Sequence, residues 1–200
     1  MPINSKYVAS FKEGGIYHIY NRGHSYKKIF LEEKNYHFFL NLIKKYLIQH
    51  VDVLAYCLLP NHFHLLIKIK ENLLFTKQDE DINKFISNQF RKLFISYTNA
   101  FSKEYNLRGG IFTTPFRRII IADNAYFTQV VYYIHYNPVH HNICSCPAAY
   151  LFSSYNAYLT NKNSLLQKEE VLNWFGNTQE FIKYHNLQNT QYQQQFFYIE

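Results

Sequence analysis

Residues 51–70, VDVLAYCLLPNHFHLLIKIK, hold two apolar runs separated only by Pro60-Asn61. Proline presets φ and asparagine tolerates tight bends, so the pair reads as a turn and the flanking runs as the strands of a hairpin. The flanking sequence extends the pattern. GIYHIYN reads as a strand ending at Arg22-Gly23, and from Glu32 the apolar residues Tyr36, Phe39, Leu40, Ile43, Tyr46 and Leu47 recur at helical spacing. After a polar loop at 71–81, the stripe Ile82, Phe85, Ile86, Phe90, Leu93, Phe94 and Tyr97 predicts a second helix running towards Phe101, broken at Arg108-Gly109-Gly110. FTTPFRRIIIA is strand-like, and Pro115 places it at a sheet edge or a bulge. Asp123-Asn124 offers an N-cap for a helix over Tyr126–Tyr136, which is expected to stop at Asn137 because proline follows. The order β-α-β-β-α-β-α predicts an α+β fold, an antiparallel sheet with helices on one face, of the ferredoxin-like or RNA-recognition-like type.

Two hundred residues suit one main domain. With 48% hydrophobic and 18% charged residues the chain is not intrinsically disordered. Three cysteines without framework spacing exclude a disulfide scaffold. The N-terminus lacks the apolar run of a signal peptide, and no segment has the length of a membrane span, so a cytoplasmic protein without a membrane partner is expected. The formal charge of +7 favours a polyanionic partner. Aromatic residues reach 19%, which serves either an unusually Phe-rich core or a surface on which bases stack.

Two constellations could carry chemistry. In His62-Phe63-His64 the imidazoles stand two apart on a strand and project from the same face, while Phe63, Leu65, Ile67 and Ile69 take the opposite one. Imidazole is a common metal ligand, and Lys68 and Lys70 share the histidine face. Tyr133 and Asn137 stand four apart and share one face of a helix, where an amide oxygen suits a hard cation. Either motif by itself is compatible with purely structural residues.

Taken together, AYCLLPNHFHLLIKI, GGIFTTPFRR and YIHYNPV occur in an order and spacing that resemble the single-tyrosine HUH transposases of the insertion-sequence 200/605-like type. The likeness is closest to the REP-associated tyrosine transposases, with YHIYNRG similar to the family's first strand and SSYNAY to the segment after its tyrosine helix. It covers about residues 14 to 160 and implies an HUH domain over 1–143, while LFSSYNAYL and VLNWFG read as short helices of a C-terminal extension over 144–200 that packs on it and ends in a Gln-rich mobile tail. It further implies metal-dependent cleavage and transfer of single-stranded DNA beside a hairpin. Tyr133 would be the nucleophile, forming a 5′-phosphotyrosine, and His62, His64 and Asn137 would hold Mg²⁺ or Mn²⁺. Relatives include monomers and dimers, so a homodimer is left open.

Lys68, Lys70, Arg91, Arg117 and Arg118 are the candidate DNA-contacting cations, with the two arginines of the edge strand foremost. His18 reads as a structural histidine, and His140, His141, Cys144 and Cys146 match no structural zinc spacing. Tyr132 and Tyr136 are rival nucleophiles that lack a paired asparagine. Two alternatives keep the fold: a basic single-strand binding module without catalysis, and a metal-dependent nickase that uses water.

Overall fold

The computed structural model describes residues 7–73 and 81–187. Residues 74–80 of the expected polar loop and the Gln-rich end at 189–200 lie outside the described residues. The elements run β1 (Ile16–Arg22), α1 (Glu33–Tyr46), β2 (Val51–Leu59), β3 (His62–Ile69), α2 (Ile82–Glu104), β4 (Arg117–Ile121) and α3 (Asn124–His140), followed by α4 (Tyr155–Tyr158), α5 (Lys168–Phe175) and α6 (Thr178–Leu187). The four strands form one sheet in the order β2-β3-β1-β4, with every pair antiparallel. This is the ferredoxin-like order, since α1 and α2 each carry the chain past one intervening strand. No helix among the described residues is long and apolar enough to cross a membrane.

Register divides the sheet into two faces. Tyr17, Ile19 and Asn21 of β1 lie opposite Ile67, Leu65 and Phe63 of β3, and α1 and α2 cover this side. The cover is aromatic. Phe63 meets Phe39 of α1 and Phe94 of α2 at ring distances of 5.0 and 5.9 Å, and Tyr97 and Phe112 close the cluster. Burying one such phenyl ring stabilises the fold by about 1.5–3 kcal/mol.

The expected one-sided arrangement holds for α1 and α2, whereas α3 lies across the other face, where Tyr133 contacts His18 and His64. That face cannot stay open to water, because fully buried Ala55, Cys57, Leu59 and Leu66 lie on it beside the histidines. Val130, Val131 and Ile134 of α3 are fully buried in turn.

The α3 helix also runs past its expected stop at Asn137, with Pro138 inside it. Proline there removes one N–H and disfavours a helical residue before it. Packing overrides that local preference, because Asn137 is fully buried against His62 and its carbonyl accepts from the His141 amide at 3.0 Å. β4 is shorter than the strand-like run, which enters it through an irregular segment around Pro115.

Two segments after residue 143 are knitted into the sheet. Leu58 donates to the Phe152 carbonyl, Ser154 to that of Tyr56, and Gln167 to that of Val53, so these segments line the outer edge of β2. At the other edge Ala9 donates to the Arg118 carbonyl. The expected short helices after 150 form as α4 and α5, and α6 completes the unit by placing fully buried Phe181 against Tyr155 and Tyr158.

Candidate active site

Strand alternation and one helical turn bring the candidate residues together. β3 projects His62 and His64 from the face under α3, and α3 lays Tyr133 and Asn137 against them. The Tyr133 and His64 rings meet edge-on at 5.4 Å, and Tyr133 is 6% exposed. Asn137 Oδ1 lies 3.1 Å from His62 Nε2. Tyr132 and Tyr136 stack on each other at 5.1 Å, with Tyr132 turned towards Tyr184 and His185 of α6.

Hydrogen bonds define what the imidazoles offer. His62 Nδ1 lies 2.7 Å from Asn61 Oδ1, an acceptor, so the ring donates there. A neutral His62 then turns a lone pair at Nε2 towards the lone pairs of the Asn137 oxygen. Two acceptors face each other across 3.1 Å, an arrangement that a shared cation or a second ring proton satisfies.

His64 Nδ1 lies 2.9 Å from His18 Nε2, and His64 Nε2 is buried without a hydrogen-bond partner. Burial holds both rings neutral, lowering His18 to about 3 and His64 well below the ordinary imidazole value. One proton is therefore shared in that contact. If His64 donates it, Nε2 is left bare towards the space beside His62, the tautomer a metal ligand needs. The Nε2 atoms of His62 and His64 with the Asn137 amide oxygen make a mixed nitrogen and oxygen donor set that would suit a divalent ion tolerant of imidazole. Among the described residues no group of three or more His, Cys, Asp or Glu side chains is arranged to hold a metal, so the set depends on the asparagine.

A cleft of about 460 Å³ opens beside the pair, lined by His62 and His64 together with Tyr20, Arg22, Tyr26, Arg117 and His141. Tyr20 stacks near His64 at 5.8 Å, and burial raises its phenol to about 12, so it stays protonated.

The candidate cations separate by face. Arg117 lies opposite Tyr20 on the histidine side and lines the cleft. Arg118 lies opposite Ile19 on the other side, donating to Ser87 Oγ at 2.7 Å between the rings of Phe11 and Phe116. Lys68 pairs with Glu170 at 2.8 Å, and Lys70 donates to the Ile48 carbonyl at 2.9 Å with Asp52 at 3.5 Å. Arg91 is exposed on α2, on the side of the sheet away from the histidines, where it donates to Asn88 at 3.2 Å. Of the five cations, only Arg117 lines the cleft.

Sequence reasoning missed Arg22 and Tyr20, although strand alternation from His18 already puts them on the histidine face. His141, whose ring lies 4.9 Å from that of His62, stands one helical turn after Asn137 and was legible in the same way. Tyr7 and Tyr26 reach the cleft from irregular segments, for which no periodic signal exists.

A REP-associated tyrosine transposase solved bound to a REP hairpin superposes on the chain with a TM-score of 0.56, at 17% identity, over 76% of this chain and 84% of that one. The chain shares that transposase's fold. A bacterial tRNA(His) guanylyltransferase (Thg1)-like protein in complex with GTP overlaps at a TM-score of 0.39 and 14% identity, over 69% of this chain and 72% of that one, too little to carry an argument. No family model and no curated protein sequence matches the chain. Likeness to the transposase therefore rests on the fold, and the chemistry has to be argued from the side chains above.

Proposed function

We propose that the chain cleaves and rejoins single-stranded DNA next to a hairpin, through a covalent tyrosyl intermediate at a divalent metal site. The carrying observation is that α3 sets Tyr133 and Asn137, one turn apart, against the sheet face bearing His62 and His64, with Asn137 Oδ1 3.1 Å from His62 Nε2. His62, His64 and Asn137 would hold Mg²⁺ or Mn²⁺, and the bound ion supplies positive charge to the non-bridging oxygens of the scissile phosphate. Tyr133 Oη attacks phosphorus, the new O–P bond replaces the bond to the 3′ oxygen, and the phenol proton is lost as a free 3′-OH leaves. The bond to DNA is conserved as a 5′-phosphotyrosine, so a second 3′-OH can reverse the step without an energy source. Arg117 at the cleft supports phosphate binding, which carries no sequence information by itself. The transposase of the same fold was solved on a REP hairpin, which supports a hairpin substrate here.

The near-complete burial of Tyr133 favours one competing reading, a nickase in which water attacks. Denaturing-gel trapping with labelled hairpin DNA and Mn²⁺ separates the two. The proposal expects a metal-dependent adduct that disappears in both Tyr133→Phe and His64→Ala. An adduct lost instead in Tyr20→Phe would move the nucleophile into the cleft, and cleavage that survives Tyr133→Phe without an adduct would establish the nickase.

A further inference from the structure

The turn after β1 is built against its own backbone preferences. Ser25 and Tyr26 sit in succession at φ 53 and φ 58, a region that bulky side chains rarely enter. The surroundings hold them there: Gly23 donates to the Asn61 carbonyl, His24 to that of Ile111, and Tyr26 back to that of Gly23. What the turn achieves is to place a tyrosine ring, 66% exposed, on the rim of the cleft with the Arg22 guanidinium 4.4 Å from its centre. A second pair of the same kind, Arg117 over Tyr7 at 5.2 Å, lines the same cleft. Strained backbone that presents an exposed aromatic beside a reactive centre is a feature of ligand clamps.

We propose that this cleft takes one unpaired nucleotide of the DNA strand next to the scissile phosphate, its base stacked on Tyr26 and its flanking phosphates met by Arg22 and Arg117. The inference rests on the histidine face being a DNA-processing site, and it adds the position where a single base is held. Aromatic faces accept any base and guanidinium groups stack as well as pair with phosphate, so the two Tyr–Arg pairs suit an unstacked nucleotide better than a duplex, whose bases cover one another. A volume of about 460 Å³ lies in the usual range for small-molecule sites. The histidines share the cleft, so a base held here fixes which phosphate reaches them.

The test is equilibrium binding of the full chain, in chelator, to a fluorescein-labelled hairpin with a single-stranded flank through which one abasic site is stepped. One abasic position is expected to weaken binding about tenfold, the size of a single stacking contact. Tyr26→Asn should abolish that penalty and Tyr26→Phe should keep it. Asparagine is chosen because it tolerates the left-handed backbone while removing the ring. A flat abasic scan, or a penalty that persists in Tyr26→Asn, overturns the inference. An adduct at Tyr133 together with a flat scan leaves the proposed chemistry standing without the base site. A Tyr26-dependent penalty without any adduct does the reverse, and failure to bind any hairpin removes both.

Discussion

His18 illustrates how a side chain outside the proposed reacting groups can set what they offer. It is fully buried, its Nε2 lies 2.9 Å from His64 Nδ1, and its ring meets Tyr133 edge-on at 5.9 Å. An imidazole that accepts the His64 proton fixes both the orientation of His64 and the nitrogen it turns outwards. Partners of this type typically contribute 10- to 100-fold to metal affinity. His18→Gln should therefore weaken Mn²⁺ binding by roughly that factor while the protein remains folded, as read by calorimetric titration alongside a melting curve. Unchanged affinity would mean that His64 is oriented by packing alone. The two edge-strand arginines make a related point, because neighbours of identical chemistry were separated by the pleat. Arg117 reaches the cleft and Arg118 is spent on Ser87 and two phenyl rings.

Elements with a clear period were legible, and those without one were not. The run VDVLAYCLL becomes β2 residue for residue, and the apolar stripes of α1 and α2 mark helices that extend only a few residues beyond them. The end of α3 was misjudged because the penalty on a residue before proline is local, whereas the buried contact between Asn137 and His62 links residues 75 apart. Which face α3 would cover was equally hidden, because a strand with histidines and lysines on one side looks solvated until β2 adds Ala55, Cys57 and Leu59 to that side. The pairing of Tyr133 with Asn137 was readable from helical spacing alone. The turn at His24–Tyr26 was not readable, and it depends on Gly23 for space, since a Cβ there would stand 1.9 Å from the Lys27 carbonyl oxygen. Gly23→Ala should accordingly destabilise the fold by about 1–3 kcal/mol, as overpacking does elsewhere, seen as a lower urea midpoint. An unchanged midpoint would show that the turn can be rebuilt without loss.

Across the molecule, buried histidines tie the layers together and set a pH limit. His135 of α3 lies 3.0 Å from His185 of α6 and 2.7 Å from Ser154 Oγ, and Ser154 Oγ accepts from the Tyr56 amide of β2. Burial lowers His185 from 6.5 to about 4 and His135 well below the ordinary value. Above pH 6.5 folded and unfolded chains both carry neutral rings, so these groups add no pH dependence. Between 6.5 and about 4 the unfolded chain takes up protons that the folded one refuses, and stability falls as the pH falls. His18, lowered to about 3, continues the loss below that window. Urea midpoints should drop between about pH 7 and about pH 5, and less steeply in His185→Gln. A midpoint that rises on acidification would mean that these rings charge inside the fold.

The segments at 152–154 and 166–167 also bear on where the chain can be cut. Their hydrogen bonds to β2 occupy the outer side of a nine-residue strand made almost wholly of apolar residues. A fragment ending at residue 143 would keep the sheet, both histidines and Tyr133, but it would display VDVLAYCLL with its backbone groups bare. Such a strand is a template for the same strand of another chain, and natural proteins cover it for that reason. The segments at 152–154 and 166–167 thus stand guard against self-templating, and a fragment ending at residue 143 is expected to associate in size-exclusion chromatography where the full chain does not.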